Sequence, residues 1–125
     1  MNRILLISLG AALGANARYW IGVWAAKHLG VAFPYGTFFV NVTGSLALGF
    51  LVSLTSERIP ITPELRLLLA VGFLGAYTTF SSFAVESLTL AQNSGNWHGV
   101  LNIFANNLLG LACALAGIWL ARLIA

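Results

Sequence analysis

Four long apolar runs constrain this chain more than any other feature of its sequence. They cover residues 4–26, 36–55, 65–90 and 100–121, and short loops with turn-forming glycine, proline and asparagine separate them. A bilayer core needs roughly 20 apolar residues per helix, so each run is long enough to cross it. Only 7% of the residues are charged, whereas about a quarter are charged in soluble domains. The sequence therefore predicts an all-α membrane protein, a single domain over residues 1–125 with four transmembrane helices.

The same composition excludes several classes of protein. A single cysteine, Cys113, excludes an intrachain disulfide and argues against a metal cluster. The net charge of +3 is spread along the chain, without the basic run that is typical of nucleic-acid binding. His28 and His98 stand alone at loops, with no partner at the spacing of a catalytic triad or a metal site. We therefore expect neither an enzyme nor a nucleic-acid-binding protein.

The basic residues give a weak indication of orientation in the membrane. Lys27 lies beyond the first run, and Arg18 lies within that run towards the same side. Four arginines lie on the opposite side, which holds the termini and the loop between the second and third runs: Arg3, Arg58, Arg66 and Arg122. The positive-inside rule would place the termini in the cytoplasm. Because the bias is small, the sequence specifies the orientation only weakly.

Polar residues recur at intervals of four in two of the predicted helices. Residues four apart share one face of a helix. These faces carry Thr37, Asn41 and Ser45 in the second helix, and Asn102, Asn106 and Gly110 in the fourth. A single intramembrane asparagine is commonly an interhelical contact, which contributes about 1 kcal/mol. Two such faces together favour a polar pathway, and a four-helix subunit has so little interior that we expect this pathway near an interface between subunits.

The third run contains the most unusual stretch, GFLGAYTTFSSF at residues 72–83. Glycines, paired threonines and paired serines all weaken helical preference, so we predict that the third helix is broken in mid-membrane. Broken backbone at that depth persists only where it is buried or lines a polar site. The carbonyls of residues 75–78 would face a cation, and the half-helix that starts near Thr79 would offer amides to an anion. The alternative is a straight helix whose serines bond to the preceding turn.

Phe80 and Phe83 lie three residues apart within this polar stretch and share a face. An aromatic ring has a positive edge, so two ring edges beside serine hydroxyls could hold a small anion that has lost its water. The alternative interpretation is apolar bulk that faces lipid or the core.

Three segments, in this order and at this spacing, resemble the Fluc (CrcB-type) fluoride channels. They are AALGANARYW with Arg18, GTFFVNVTGS around Asn41, and GFLGAYTTFSSF followed by Glu86. The resemblance extends over all four helices. It implies an antiparallel, dual-topology homodimer with two fluoride pores, and a sodium ion at the dimer centre that is structural and not transported.

The resemblance also implies a role for particular residues. The backbone carbonyls of Gly75 and Thr78, from both subunits, would bind the sodium ion. Arg18 would lie at the aqueous vestibule, and Glu86 at the end of the polar track. The fluoride pore would be lined by Asn41, Phe80, Phe83, Ser82 and Thr79. The resemblance assigns no pore role to the three asparagines of the fourth helix, Asn102, Asn106 and Asn107.

The function implied is passive export of fluoride from the cytoplasm, through the plasma membrane of a prokaryote, which lowers fluoride toxicity. Its partners would be fluoride, the lipid bilayer and a second copy of the chain. One alternative is a small dimeric four-helix multidrug exporter. Such an exporter needs a buried carboxylate to exchange protons, and Glu86 is the only candidate. A second alternative is a membrane scaffold subunit held by small-residue packing.

Overall fold

The computed structural model describes residues 2–57 and 60–124, so Arg58, which the charge bias included, lies outside the described residues. Within these ranges the chain is helical and contains no β-strand. Its elements are α1 (Arg3–Leu29), α2 (Tyr35–Glu57), α3 (Pro63–Arg66), a π-helical segment (Leu67–Leu74), α4 (Gly75–Tyr77), α5 (Phe80–Ser94) and α6 (Asn96–Ile124).

Four stretches are long and apolar enough to cross a membrane, which confirms the predicted all-α, four-span architecture. They are Arg3–Leu29, Tyr35–Thr55, Pro63–Ser94 and Asn96–Ile124. The third and fourth spans extend into the segment between residues 90 and 100, which we expected to be a loop. As a result, Gly95 alone separates α5 from α6. Gly95 has a φ of +101°, a conformation that glycine adopts without steric cost, and this allows the chain to turn without a longer loop.

The third span is interrupted at Thr78 and Thr79, as the sequence predicted. Both residues are extended, with φ and ψ of −85° and 159° at Thr78 and −152° and 117° at Thr79. The half before this break contains the π-helical segment, which the sequence did not predict. The third span therefore consists of two half-helices joined by two extended residues.

The first half of the third span packs directly on the backbone of α1. A Cβ atom at Gly14 would overlap the carbonyl oxygen of Phe73, and one at Gly10 would overlap that of Leu68. Small residues allow membrane helices to approach in this way, since lipid provides no hydrophobic drive for their association. The contact fixes the π-helical segment, and hence the break that follows, relative to α1.

A small buried cluster fixes the break against α2. Val40, Leu74 and Tyr77 form this cluster. The ring of Tyr77 stacks on Phe73 with centroids 5.6 Å apart, and its hydroxyl lies 2.8 Å from the Thr43 hydroxyl oxygen. Because Tyr77 is the last residue of α4, these contacts hold the end of that helix beside the middle of α2.

Candidate functional site

Asn41 of α2 holds the break open through the backbone of Thr79. Its Oδ1 accepts a hydrogen bond from the Thr79 N–H at 2.8 Å, and its Nδ2 donates to the Thr79 carbonyl at 3.0 Å. The side-chain amide thus pairs with both backbone groups of Thr79, as a neighbouring β-strand would. Since lipid offers no partner to an exposed backbone group, this pairing stabilises an extended residue at bilayer depth.

The break removes the helical donors from the backbone carbonyls of residues 75–78. In a continuous helix the Gly75 carbonyl would accept from the Thr79 N–H, and the Thr78 carbonyl from the Ser82 N–H. The Thr79 N–H donates to Asn41 (2.8 Å), and the Ser82 N–H donates to the Thr79 hydroxyl (3.2 Å). Gly75 and Thr78, the two residues that the resemblance assigns to sodium, are among the residues whose carbonyls lose their helical donor.

Arg18 reaches the same break from α1. Its Nη1 donates to the Thr78 carbonyl oxygen at 3.4 Å, and its side chain is half-buried. The sequence placed Arg18 towards one end of α1, at a vestibule. The structure brings its guanidinium beside one of the freed carbonyls, so the positive charge lies next to the interrupted backbone.

The second half of the third span begins with a hydroxyl cap. Thr79 is the N-cap residue of α5 and is buried. Its hydroxyl accepts from the Ser82 N–H and donates to the Ser82 hydroxyl at 3.0 Å. An N-cap threonine satisfies an orphan amide of the first turn. Thr79 and Ser82 are therefore in contact, as the predicted pore set requires.

Phe80 and Phe83 are neighbours with very different exposure. Their ring centroids are 5.6 Å apart and the ring planes are inclined by 57°. Within the subunit, 8% of the Phe83 surface is exposed, whereas 78% of the Phe80 surface is exposed. The two rings line one groove of about 250 Å³, together with Asn41, Thr79 and Asn106. Four of the five predicted pore residues thus share one cavity, and Ser82 contacts it only through Thr79.

Glu86 belongs to a second cavity. Thr37 donates to Glu86 Oε1 at 2.9 Å. Glu86 Oε2 is buried and has no hydrogen-bond partner in the described part of the chain. Both residues line a cavity of about 480 Å³ that is bounded by the loop of residues 30–34 and the end of α5. The polar side chains of α2 therefore line two cavities: Asn41 lines the groove, and Thr37, one helical turn earlier, lines the second cavity with Glu86.

Comparison with known proteins decides the family. The family model described as "CrcB-like protein, Camphor Resistance (CrcB)" matches residues 5–118. The chain belongs to the CrcB family. The four apolar spans and this membership together make it a multi-pass protein of the plasma membrane.

Several relatives are similar to this chain over nearly their whole length. The protein named "Fluoride-specific ion channel FluC" from Chloroflexus aurantiacus is 46% identical over 123 residues, which cover 98% of this chain and 97% of that protein. The FluC of Koribacter versatilis is 48% identical over 126 residues, covering 99% and 98%. The FluC of Rhizobium meliloti is 42% identical over 122 residues, covering 98% of each chain. These matches confirm the resemblance seen in the sequence.

Two asparagines of α6 and a serine of α5 extend the site of this CrcB-family chain. Asn41 Nδ2 donates to Asn106 Oδ1 at 3.4 Å, and Asn106 Nδ2 donates to Asn102 Oδ1 at 2.9 Å. Asn102 Nδ2 donates to the Ser87 hydroxyl at 2.9 Å, which in turn donates to the Phe83 carbonyl at 2.7 Å. We call Asn41, Asn106, Asn102 and Ser87 the amide chain.

The sequence identified the polar face of α6 but not its partner. Ser87 was overlooked, although it lies four residues after Phe83 and so on the same face of α5. Asn107 does not join the amide chain, because its Nδ2 donates to the Ile103 carbonyl of its own helix at 2.7 Å. Of the three unassigned asparagines, Asn102 and Asn106 therefore belong to the amide chain, whereas Asn106 and Asn107 line the groove.

Proposed function

We propose that this chain is a fluoride-specific ion channel that exports fluoride passively from the cytoplasm and so lowers fluoride toxicity. The observation that carries the proposal is the single groove at the break, in which two phenylalanine rings meet amide and hydroxyl groups. The relatives that match nearly the whole chain are named as fluoride-specific channels. A channel of this kind performs no chemical conversion, so the protein is not an enzyme.

Selectivity follows from the size of the ion and from the groups that replace its water. In the groove, fluoride meets the Thr79 hydroxyl, the Asn41 amide and the positive edges of Phe80 and Phe83. Both hydrogens of the Asn41 amide have protein acceptors. The bond to Asn106 Oδ1, at 3.4 Å, is longer than the bond to the Thr79 carbonyl, at 3.0 Å. The weaker bond is the one that fluoride displaces. Chloride is larger and does not fit between the same donors.

The functional unit proposed here is an antiparallel homodimer of single-domain subunits, residues 1–125. The exposure of Phe80 supports this arrangement, since the groove is open on the side where that ring projects from the subunit. The charge distribution bears on dual topology. Arg3, Arg58, Arg66 and Arg122 oppose Lys27, a bias close to the largest that leaves both orientations accessible.

The carbonyls of Gly75 and Thr78 would bind a structural sodium ion at the centre of this dimer, and the Thr78 carbonyl also accepts from Arg18 Nη1 at 3.4 Å. Backbone oxygens are hard ligands, and unwound membrane helices supply such oxygens to sodium in other proteins. Two subunits would contribute four carbonyls, which would tie the two breaks together. The ion would be held in place and would not be conducted.

Fluoride efflux from proteoliposomes tests the proposed function. Proteoliposomes that contain the protein and are loaded with potassium fluoride should release fluoride as soon as they are made permeable to potassium. A fluoride electrode measures the release. We expect the same rate with and without a pH gradient, and no release of chloride from matched vesicles. Fluoride release that requires a proton gradient would instead indicate an exchanger, and equal release of chloride would refute fluoride specificity.

Sodium dependence of stability tests the proposed metal. An ion that binds only the folded dimer stabilises it by mass action, by about 2.7 kcal/mol when its concentration is a hundred times its dissociation constant. We expect the thermal unfolding midpoint in detergent to rise with sodium chloride. Potassium chloride and N-methylglucamine chloride at equal ionic strength are the controls. Equal midpoints in all three salts would contradict the sodium site.

A further inference from the structure

Three backbone groups fix the direction of the hydrogen bonds in the amide chain. The Phe83 carbonyl can only accept, so the Ser87 hydroxyl donates to it and is left to accept from Asn102. The Asn102 backbone carbonyl can also only accept, which turns the Asn106 NH₂ towards it at 3.0 Å. The Thr79 N–H can only donate, so Asn41 presents Oδ1 to it and Nδ2 to Asn106. All hydrogen bonds of the amide chain therefore run in the same direction, with the donor on the Asn41 side and the acceptor on the Phe83 side.

Burial prevents the three inner members of the amide chain, Asn106, Asn102 and Ser87, from reversing alone. The exposed fraction is 0% at Asn102, 3% at Ser87 and 8% at Asn106. If one amide flipped, oxygen would face oxygen and hydrogen would face hydrogen, with no water to satisfy either. Low local dielectric strengthens each bond and raises the cost of an unpaired group. The orientation of Asn106 is thus set by residues that lie outside the groove.

We infer that Asn102 and Ser87 are positioning residues for conduction, because they fix how Asn106, and through it Asn41, presents its amide to the groove. Asn106 Oδ1 holds one Asn41 hydrogen through the long, displaceable bond of 3.4 Å. Without the anchor at Ser87, the Asn102 side chain can rotate, and Asn106 Nδ2 then keeps only the Asn102 backbone carbonyl at 3.0 Å and loses Asn102 Oδ1 at 2.9 Å. Asn106 Oδ1 is then held less firmly against the Asn41 amide. The expected change in fluoride flux rests on the proposed function, whereas the expected positioning of the Asn41 amide does not.

The first test measures fluoride efflux at several fluoride concentrations for Ser87→Ala, Asn102→Leu and the double variant. We expect each single variant to raise the half-saturating fluoride concentration about tenfold, with a smaller change in the maximal rate, and the double variant to match a single one. Ser87→Thr keeps the hydroxyl and should restore wild-type behaviour. The matched control is Asn16→Ala, since the amide of this exposed asparagine donates to Ala12 of its own helix at 2.8 Å.

Two results of this flux test would overturn the inference. One is an unchanged half-saturating concentration in both single variants. The other is a loss in the double variant equal to the product of the single losses, which would mean that Asn102 and Ser87 act independently. If Asn102→Leu fails to fold, the test rests on the comparison of fluoride efflux between Ser87→Ala and Ser87→Thr. These two variants differ in the hydroxyl that the amide chain requires.

A second test is independent of conduction. In protein labelled with ¹⁵N and free of fluoride, we expect Ser87→Ala to shift the side-chain amide resonances of Asn41, although Ser87 does not contact Asn41 directly. Asn16→Ala should leave them in place. If the wild-type protein conducts fluoride but the Asn41 resonances do not respond, the inference fails alone. If the resonances respond but no fluoride is conducted, the proposed function fails and the positioning of Asn41 stands.

Discussion

Replacing Phe83 with isoleucine is expected to reduce fluoride efflux about a hundredfold or more. Isoleucine fills much of the same space but offers no positive ring edge to the anion. A loss of roughly 2.7 kcal/mol in stabilisation of the passing ion corresponds to two powers of ten in rate. Phe80→Ile should have the same effect through the neighbouring ring, whose centroid is 5.6 Å away. The measurement is the initial rate of fluoride release from proteoliposomes.

Burial makes the two phenylalanine variants informative in different ways. Phe83 is buried within the subunit, so Phe83→Ile also weakens packing, and its thermal unfolding midpoint must be measured beside the flux. Phe80 is 78% exposed in the subunit, so Phe80→Ile should leave the fold of the subunit intact. Phe104→Ile, at an exposed phenylalanine of α6 outside the groove, is the matched control. Wild-type flux in both pore variants would remove the ring-edge proposal.

The spans and the break could be predicted from the sequence because both depend on local chemistry. Length and hydropathy determine which segments cross a bilayer. At the break, Thr78 and Thr79 are β-branched residues that follow Gly72 and Gly75, and such residues lower helical preference wherever they occur. The ends of the helices were less predictable, since a single glycine with positive φ, Gly95, replaces the longer loop that its polar neighbours indicated.

The π-helical segment could not be predicted, because its cause is tertiary. Residues 67–74 are apolar throughout and would suit an α-helix equally well. Their path is fixed by close backbone contact with Gly10 and Gly14 of α1, which lie more than fifty residues away in the sequence. Periodicity within one helix does not report which neighbour it packs against.

In the site too, local features could be predicted from the sequence, whereas contacts between helices could not. The interval between Phe80 and Phe83 predicted a shared face, and the two rings are in fact adjacent. Asn41 was predicted as a donor to the anion, whereas in the structure its amide also clamps the backbone of Thr79. A polar side chain in a sequence shows what it can donate or accept, but not which backbone group it meets. Ser87 was missed for this reason.

Fixing the orientation of the subunits is expected to abolish fluoride efflux. Glu64→Lys with Lys27→Gln raises the positive charge on the side of the termini. Arg3→Gln, Arg66→Gln and Arg122→Gln with Gln92→Lys leave Arg58 alone on that side and place two lysines on the other. Since the wild-type bias is small, these changes should commit every subunit to one orientation. Subunits that all face one way cannot form the proposed antiparallel dimer, so neither variant alone should conduct.

Coexpression of the two variants provides the internal control, because it supplies both orientations again and should restore efflux. Reporters fused to the C-terminus, read on each face of the membrane, should show both orientations for the wild-type chain and one for each variant. These substitutions all lie near the ends of the spans, away from the groove that Phe80 and Phe83 line. Loss of flux in each variant, with recovery on mixing, therefore reports on orientation and not on damage to the pore. Full efflux from either variant by itself would show that parallel subunits conduct and would refute the antiparallel dimer.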